Sequence, residues 1–147
     1  MTEKLDLTSL RGAIAALGDG ISVVSDSDWF YAQNDAVQRT LIAGVIQNFE
    51  MVYEVSVKAI RRQIEHEAAS PAETDQDNFR DVLRTAAEKG LIADVEAWFR
   101  YRKMRNITAH TYDQEKAQFV YNGTLEFLGD ARALLNRLEL RNASPAA

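Results

Sequence analysis

The sequence predicts an all-α fold, an antiparallel up-and-down bundle of four main helices with one short extra helix. Three observations predict it. Apolar residues recur at helical spacing over most of the chain, strand-like alternation bounded by turn residues is nearly absent, and neither proline, Pro71 or Pro145, interrupts a long periodic segment. At 147 residues, with 46% hydrophobic and 27% charged residues, the chain reads as one domain over residues 1–147 that buries a core unaided.

The first helix carries the stripe Leu7, Leu10, Ile14, Leu17, Ile21, Val24, spaced i, i+3, i+7, as one buried helix face requires. Gly18 and Gly20 weaken it locally, each by about 1 kcal/mol relative to Ala.

The second helix, from about Asn34 to Glu67, carries two adjacent stripes. One runs Val37, Leu41, Val45, Asn48, Val52, Val55, Ala59, and the other Ile42, Ile46, Phe49, Tyr53, Val57, Ile60, Ile64. So wide an apolar arc must meet more than one neighbour, in the bundle or across a dimer.

Residues 68–78, "AASPAETDQDN", are small and polar and read as a connection. Asp77 or Asn78 caps a short helix from Phe79 to Lys89, with Gly90 as its left-handed stop. Asp94 opens a helix through Trp98 and Phe99 to about Asn106. Asp113 caps the last helix, with Glu115 in its first turn, where the helix dipole favours an acid. That helix buries Val120, Thr124, Phe127, Ala131, Leu134 and Leu138, and residues 142–147 form a frayed tail.

The chain has no cysteine, which excludes disulfides and Cys-ligated zinc. The start, "MTEKLDLTSL", lacks an apolar targeting core, and no apolar run approaches a membrane span. A soluble, cytoplasmic protein with no membrane partner is expected. A net charge of −5 argues against general nucleic-acid binding, which needs clustered cations. Residues 100–105, "RYRKMR", nevertheless hold four of the 17 basic residues, so Arg102 and Lys103 are candidate RNA contacts.

The stretch "RNITAHTYD", residues 105–113, carries the candidate chemistry. Arg61 and His66 repeat the Arg-x4-His spacing, but His66 lies at the polar end of the long helix and reads as a surface residue. Leu91, Val95, Trp98, Arg102 and Arg105 fall on one stripe, so an apolar face ends in two arginines. Arginines there can snorkel, their stems covering the core. They can equally serve a site. On an unbroken helix Arg105 and His110 lie about 140° apart at about 100° per residue. They converge only if the helix ends between them or two subunits bring them together, after which His110 and Tyr112 share one side of an extended segment.

RNA cleavage by its own 2′-OH needs a base, an acid and a cation for the phosphorane. Histidine, with an unperturbed pKa of about 6.5, serves either proton role. Arg105 can hold two phosphate oxygens through its planar fork. No metal is required, and with one such histidine per chain both proton roles call for two copies of His110 in a dimer. Asp26/Asp28 and Asp75/Asp77 lie in polar connections without the Gly-Ser lead of a nucleotidyltransferase, and no P-loop, GxGxxG or HExxH occurs. No cofactor or metal is expected. Glu50, Tyr53 and Glu54 share a helix face, with Glu54 and Lys58 as an i, i+4 pair.

Two stretches resemble a known family. "RTLIAGVIQNFEMVYEVSVKAIRRQI" (39–64) is similar to the long-helix signature of the nucleotidyltransferase substrate-binding family, whose core is Ile-Gln-x-Phe-Glu-x-x-Tyr-Glu. "FRDVLRTAAEKGLIADVEAWFRYRKMRNITAHTYD" (79–113) resembles its second signature, a Gly-Leu-Ile step, a Trp, then Arg-Asn-x-x-x-His-x-Tyr. Val57 stands where the signature carries a larger aromatic. Membership of the HEPN superfamily is what the resemblance implies, with a homodimeric four-helix bundle and a separate minimal nucleotidyltransferase as partner. In the HepT-like toxin branch the Arg-x4-His-x-Tyr motif is a metal-independent ribonuclease site, and the nucleotidyltransferase is an antitoxin that transfers AMP to the tyrosine. Carried over, Arg105 and Asn106 bind the phosphate, His110 transfers protons and Tyr112 accepts AMP. The alternative is a non-catalytic substrate-binding or accessory subunit of the nucleotidyltransferase.

Overall fold

The computed structural model describes residues 4–68 and 78–143, and all regular structure among them is helical. Six α-helices occur in these segments: α1 (Thr8–Ser25), α2 (Ser27–Ala32), α3 (Asp35–Glu67), α4 (Phe79–Glu88), α5 (Val95–Ile107) and α6 (Gln114–Arg141). A 3-10 turn, Thr108–His110, joins α5 to α6.

The helix starts follow capping chemistry. Asn34 accepts from the Val37 N–H at 2.9 Å and opens α3, and Asn78 accepts from the Arg80 N–H at 2.8 Å and opens α4. Asp94 and Asp113 do the same for α5 and α6. Gly90, at φ +78°, provides the left-handed residue that ends α4. Helix α2 is an addition to the expected elements. Asp26 caps it by accepting from the Trp29 N–H at 3.3 Å, so this aspartate is a helix cap and not part of an open connection. Much of the connection expected over 68–78, with the Asp75/Asp77 pair, lies outside the described residues, as do 144–147.

The α1 stripe is buried at every position from Leu7 to Val24. Helix α3 packs against α1, α4, α5 and α6, which accounts for its wide apolar arc. Its Ile46–Ile64 stripe is buried throughout, whereas Val37, Leu41 and Val55 of the other are only half-buried. Asn48, within that second stripe, donates to the Ala16 carbonyl of α1 at 3.4 Å. Phe127 of α6 is the hub of the core. Its ring meets Phe49 at 4.8 Å, Tyr101 at 4.9 Å and Trp98 at 5.8 Å, all edge-to-face, each pair worth about 0.5–1.5 kcal/mol beyond its area. The Tyr101 hydroxyl donates to Asp130, which secures α5 on α6.

The C-terminal segment does not fray at 142. Asn142 donates to Gln63 Oε1 at 2.7 Å and accepts from the Leu5 N–H at 3.2 Å, tying together the two ends of the described chain and α3. Nearby, Arg141 pairs with Glu67 at 2.8 Å. Burial works against the Glu67 charge, but the Gln63 hydrogen bond and the Arg141 guanidinium hold its carboxyl below the usual carboxylate range.

Candidate active site

Helix α5 buries Ala97, Trp98, Tyr101 and Met104. This corrects the expected stripe: Val95, Arg102 and Arg105 lie half-buried on the border of that face, and Leu91 is buried ahead of the helix. Being at the border, the two arginines turn toward α3 and α4. The Arg102 guanidinium stacks 3.9 Å from the Phe79 ring centroid. Arg105 Nη2 lies 2.7 Å from Glu54 Oε1 and 3.7 Å from Glu50 Oε1. Glu54 thus pairs with Arg105 across the helices, where the sequence suggested Lys58.

Beside these groups is a cleft of about 560 Å³ lined by Tyr53, Val57, Phe79, Arg102, Arg105 and Asn106, among others. The small side chain of Val57 lines this cleft, at the position where a larger aromatic was expected. Tyr53 stacks on Phe79, with ring centroids 6.1 Å apart, and its buried hydroxyl has no hydrogen-bond partner among the described residues. Burial pushes this phenol well above its usual range, against the pull of Arg102 and Arg105.

The helix does break between Arg105 and His110. After Ile107 the chain tightens into the 3-10 turn, which replaces the extended segment expected from sequence. Side-chain and backbone hydrogen bonds hold it: Thr108 Oγ1 donates to the Arg105 carbonyl at 2.7 Å, Thr111 Oγ1 to the Thr108 carbonyl at 3.1 Å, and the Asp113 N–H to the His110 carbonyl at 3.1 Å. His110 and Tyr112 still share a side, their rings edge-on at 6.2 Å. Both side chains are exposed, Tyr112 at 84%.

The structure therefore brings Arg102, Arg105 and Asn106 together at one cleft and pairs His110 with Tyr112 on the adjoining turn. Tyr112 opens onto a different cleft, formed with α2, the first half of α3 and the start of α6. Lys103 stands apart from Arg102 and Arg105, its ammonium 5.9 Å from the Phe119 ring centroid of α6. Sequence reasoning missed Glu50 and Glu54 as the partners of Arg105. Their i, i+4 spacing on α3 was visible, but which helix that face meets was not.

The other tyrosines near the site differ from Tyr112. Tyr101 is buried, and burial together with Asp130 raises its phenol far above the ordinary range. Burial also raises the half-buried Tyr121, with a further contribution from Tyr31.

Comparison with known proteins identifies the family and the fold. The family model for nucleotidyltransferase substrate binding protein like sequences matches residues 5–140. The chain is 46% identical over 142 residues, 97% of each sequence, to a Haemophilus influenzae protein named probable ribonuclease HepT. A solved Haemophilus influenzae structure, described as the fold of a substrate binding domain of a nucleotidyltransferase, superposes with a TM-score of 0.88 at 45% identity, covering 91% of this chain and 99% of that one. The chain belongs to the nucleotidyltransferase substrate binding protein like family, among its HepT-like members of the HEPN superfamily.

Proposed function

We propose that the protein is the toxin of a cytoplasmic toxin–antitoxin pair, a metal-independent endoribonuclease built as a homodimer of four-helix bundles. The observation that carries this reading is the placement of Arg105 and Asn106 at the last turn of α5, with His110 exposed on the tight turn that follows. Arg105 would hold the scissile phosphate through its fork and offset the charge of the phosphorane. One His110 would take the proton of the 2′-OH, and the partner copy's equivalent would deliver a proton to the departing 5′-oxygen. A 2′,3′-cyclic phosphate and a free 5′-hydroxyl are the products of that balance.

A separate minimal nucleotidyltransferase would act as antitoxin by transferring AMP to Tyr112. The phenol oxygen would attack the α-phosphorus of ATP and pyrophosphate would leave. High exposure supports Tyr112 as acceptor, and burial against Asp130 disfavours Tyr101. The added bulk and negative charge beside His110 would exclude RNA. Expression of the wild type should arrest growth, His110→Ala should relieve the arrest, and co-expression of the partner should silence the wild type. Equal toxicity of wild type and His110→Ala would sink the reading.

A second reading has its own support. The Glu54 and Glu50 carboxylates occupy the Arg105 guanidinium, as suits an accessory subunit that presents substrate to the nucleotidyltransferase and does not itself cleave RNA. That reading expects a stable complex with the partner and no cleavage by the isolated protein.

A further inference from the structure

The cleft onto which Tyr112 opens has a volume of about 910 Å³, within the range of about 300–1,000 Å³ typical of small-molecule sites. Three tyrosines from three elements line it: Tyr31 of α2, Tyr112 after the 3-10 turn and Tyr121 of α6. Tyr31 is held edge-on by Phe30, ring centroids 5.2 Å apart, yet remains 73% exposed, so a broad aromatic surface is offered to a ligand. Tyr121 is half-buried and near enough to Tyr31 to feel its phenol.

A cation is available in the same cleft. Arg39, on the second turn of α3, lines it and makes no ion pair among the described residues, whereas Arg11, Arg84, Arg100, Arg105 and Arg141 all face carboxylates. Gln38 adds a polar edge. Its side-chain N–H donates to the Gln33 carbonyl at 2.8 Å, which leaves the amide oxygen free to accept from an exocyclic amino group. Exposed aromatic faces, an uncommitted arginine and a fixed amide acceptor together match the three parts of a nucleotide: base face, phosphate and base edge.

We propose that this cleft is a nucleotide-binding subsite, taking one ribonucleotide with its base on Tyr31 and Tyr121 and its phosphate against Arg39. The nucleotide can be the AMP carried by Tyr112 or one unit of a bound RNA. The first of these sources rests on the reading of Tyr112 given above, while the cleft and its lining do not. With AMP on Tyr112 the subsite turns an exposed, freely swinging modification into a docked plug beside His110.

The test is titration of the purified full-length protein, its mass checked to be unmodified, with AMP and with ribose 5-phosphate, followed by NMR or calorimetry. AMP should bind and ribose 5-phosphate should bind at least about fivefold more weakly, because stacking of one base contributes about 1–3 kcal/mol, or about five- to 150-fold. Tyr31→Ala and Arg39→Gln alter exposed side chains and should each weaken AMP binding about fivefold or more while leaving the circular dichroism and Tm unchanged. Loss of AMP binding on modification of Tyr112 identifies the tethered nucleotide as the occupant; competition by a short RNA, with no effect of modification, identifies an RNA unit. No AMP binding, or wild-type AMP binding by both variants, overturns the subsite. The titration requires neither cleavage nor modification, so it reads the cleft even if the ribonuclease proposal fails.

Discussion

Arg105 of α5 reaches Glu54 of α3 at 2.7 Å and Glu50, one turn earlier, at 3.7 Å. The residue best suited to bind phosphate is thus held by two carboxylates, and any phosphate that enters must compete with them. The Arg105 side chain is 33% exposed and that of Glu54 50%, so the pairing sits in a water-screened setting where an ion pair contributes about 0–1 kcal/mol. That is weak enough for an anion to displace.

Glu54→Gln should therefore tighten RNA binding rather than damage the fold. A gain of up to about fivefold in affinity is expected, matching about 1 kcal/mol or less of lost competition. Filter binding in a His110→Ala background, where RNA would stay intact, measures it. Weaker binding would show that Glu54 positions Arg105 for phosphate instead of competing for it.

Arg105→Lys should not restore what Arg105→Ala removes. A lysine keeps the charge but presents a single ammonium, which cannot hold two phosphate oxygens in the fixed geometry of the guanidinium. Cleavage assays on both variants should show similar losses, with Tm within a few degrees of wild type. Near-complete rescue by lysine would reduce Arg105 to a point charge.

Tyr101→Phe should destabilise the protein by about 1–2 kcal/mol by leaving Asp130 without its hydrogen-bond donor. Ser56→Ala should behave oppositely. The Ser56 hydroxyl is fully buried and has no hydrogen-bond partner among the described residues, so its removal should be neutral or slightly stabilising. Urea denaturation of the two variants checks both signs at once, and a costly Ser56→Ala would reveal a partner for that hydroxyl.

Acid should loosen the end of the molecule where α3 meets the C-terminus of α6. The folded Glu67 carboxyl is held below its ordinary value of 4.5, so the charged form favours the folded state. Its contribution is fully present above about pH 4.5 and is lost as pH falls through the depressed folded value. Glu67→Gln should flatten this part of the stability profile, and an unchanged acid limb would assign the effect elsewhere.

Much of the fold was legible because its signals are local. Asn78, Asp94 and Asp113 each cap the helix their sequence context predicted, Asn34 caps the long helix expected to start near it, and the buried positions of α1 and α6 follow their stripes. Helix α2 escaped because six residues show too little periodicity, although Asp26 carried a cap signal. The partnership of Arg105 with Glu54 was not legible either: local spacing offered Lys58, and only the packing of α5 on α3 decides between them. The same holds for the tyrosine cleft, whose residues come from positions 31, 112 and 121 and meet only through tertiary packing.

In the proposed reaction His110 performs proton transfer in RNA cleavage without metal. The direct measurement is incubation of the purified, unmodified protein with mixed RNA in EDTA, beside His110→Ala. Cleavage by the wild type alone, leaving 2′,3′-cyclic phosphate ends, is the predicted result. Intact RNA with both proteins would contradict the claim and favour an accessory subunit of the nucleotidyltransferase.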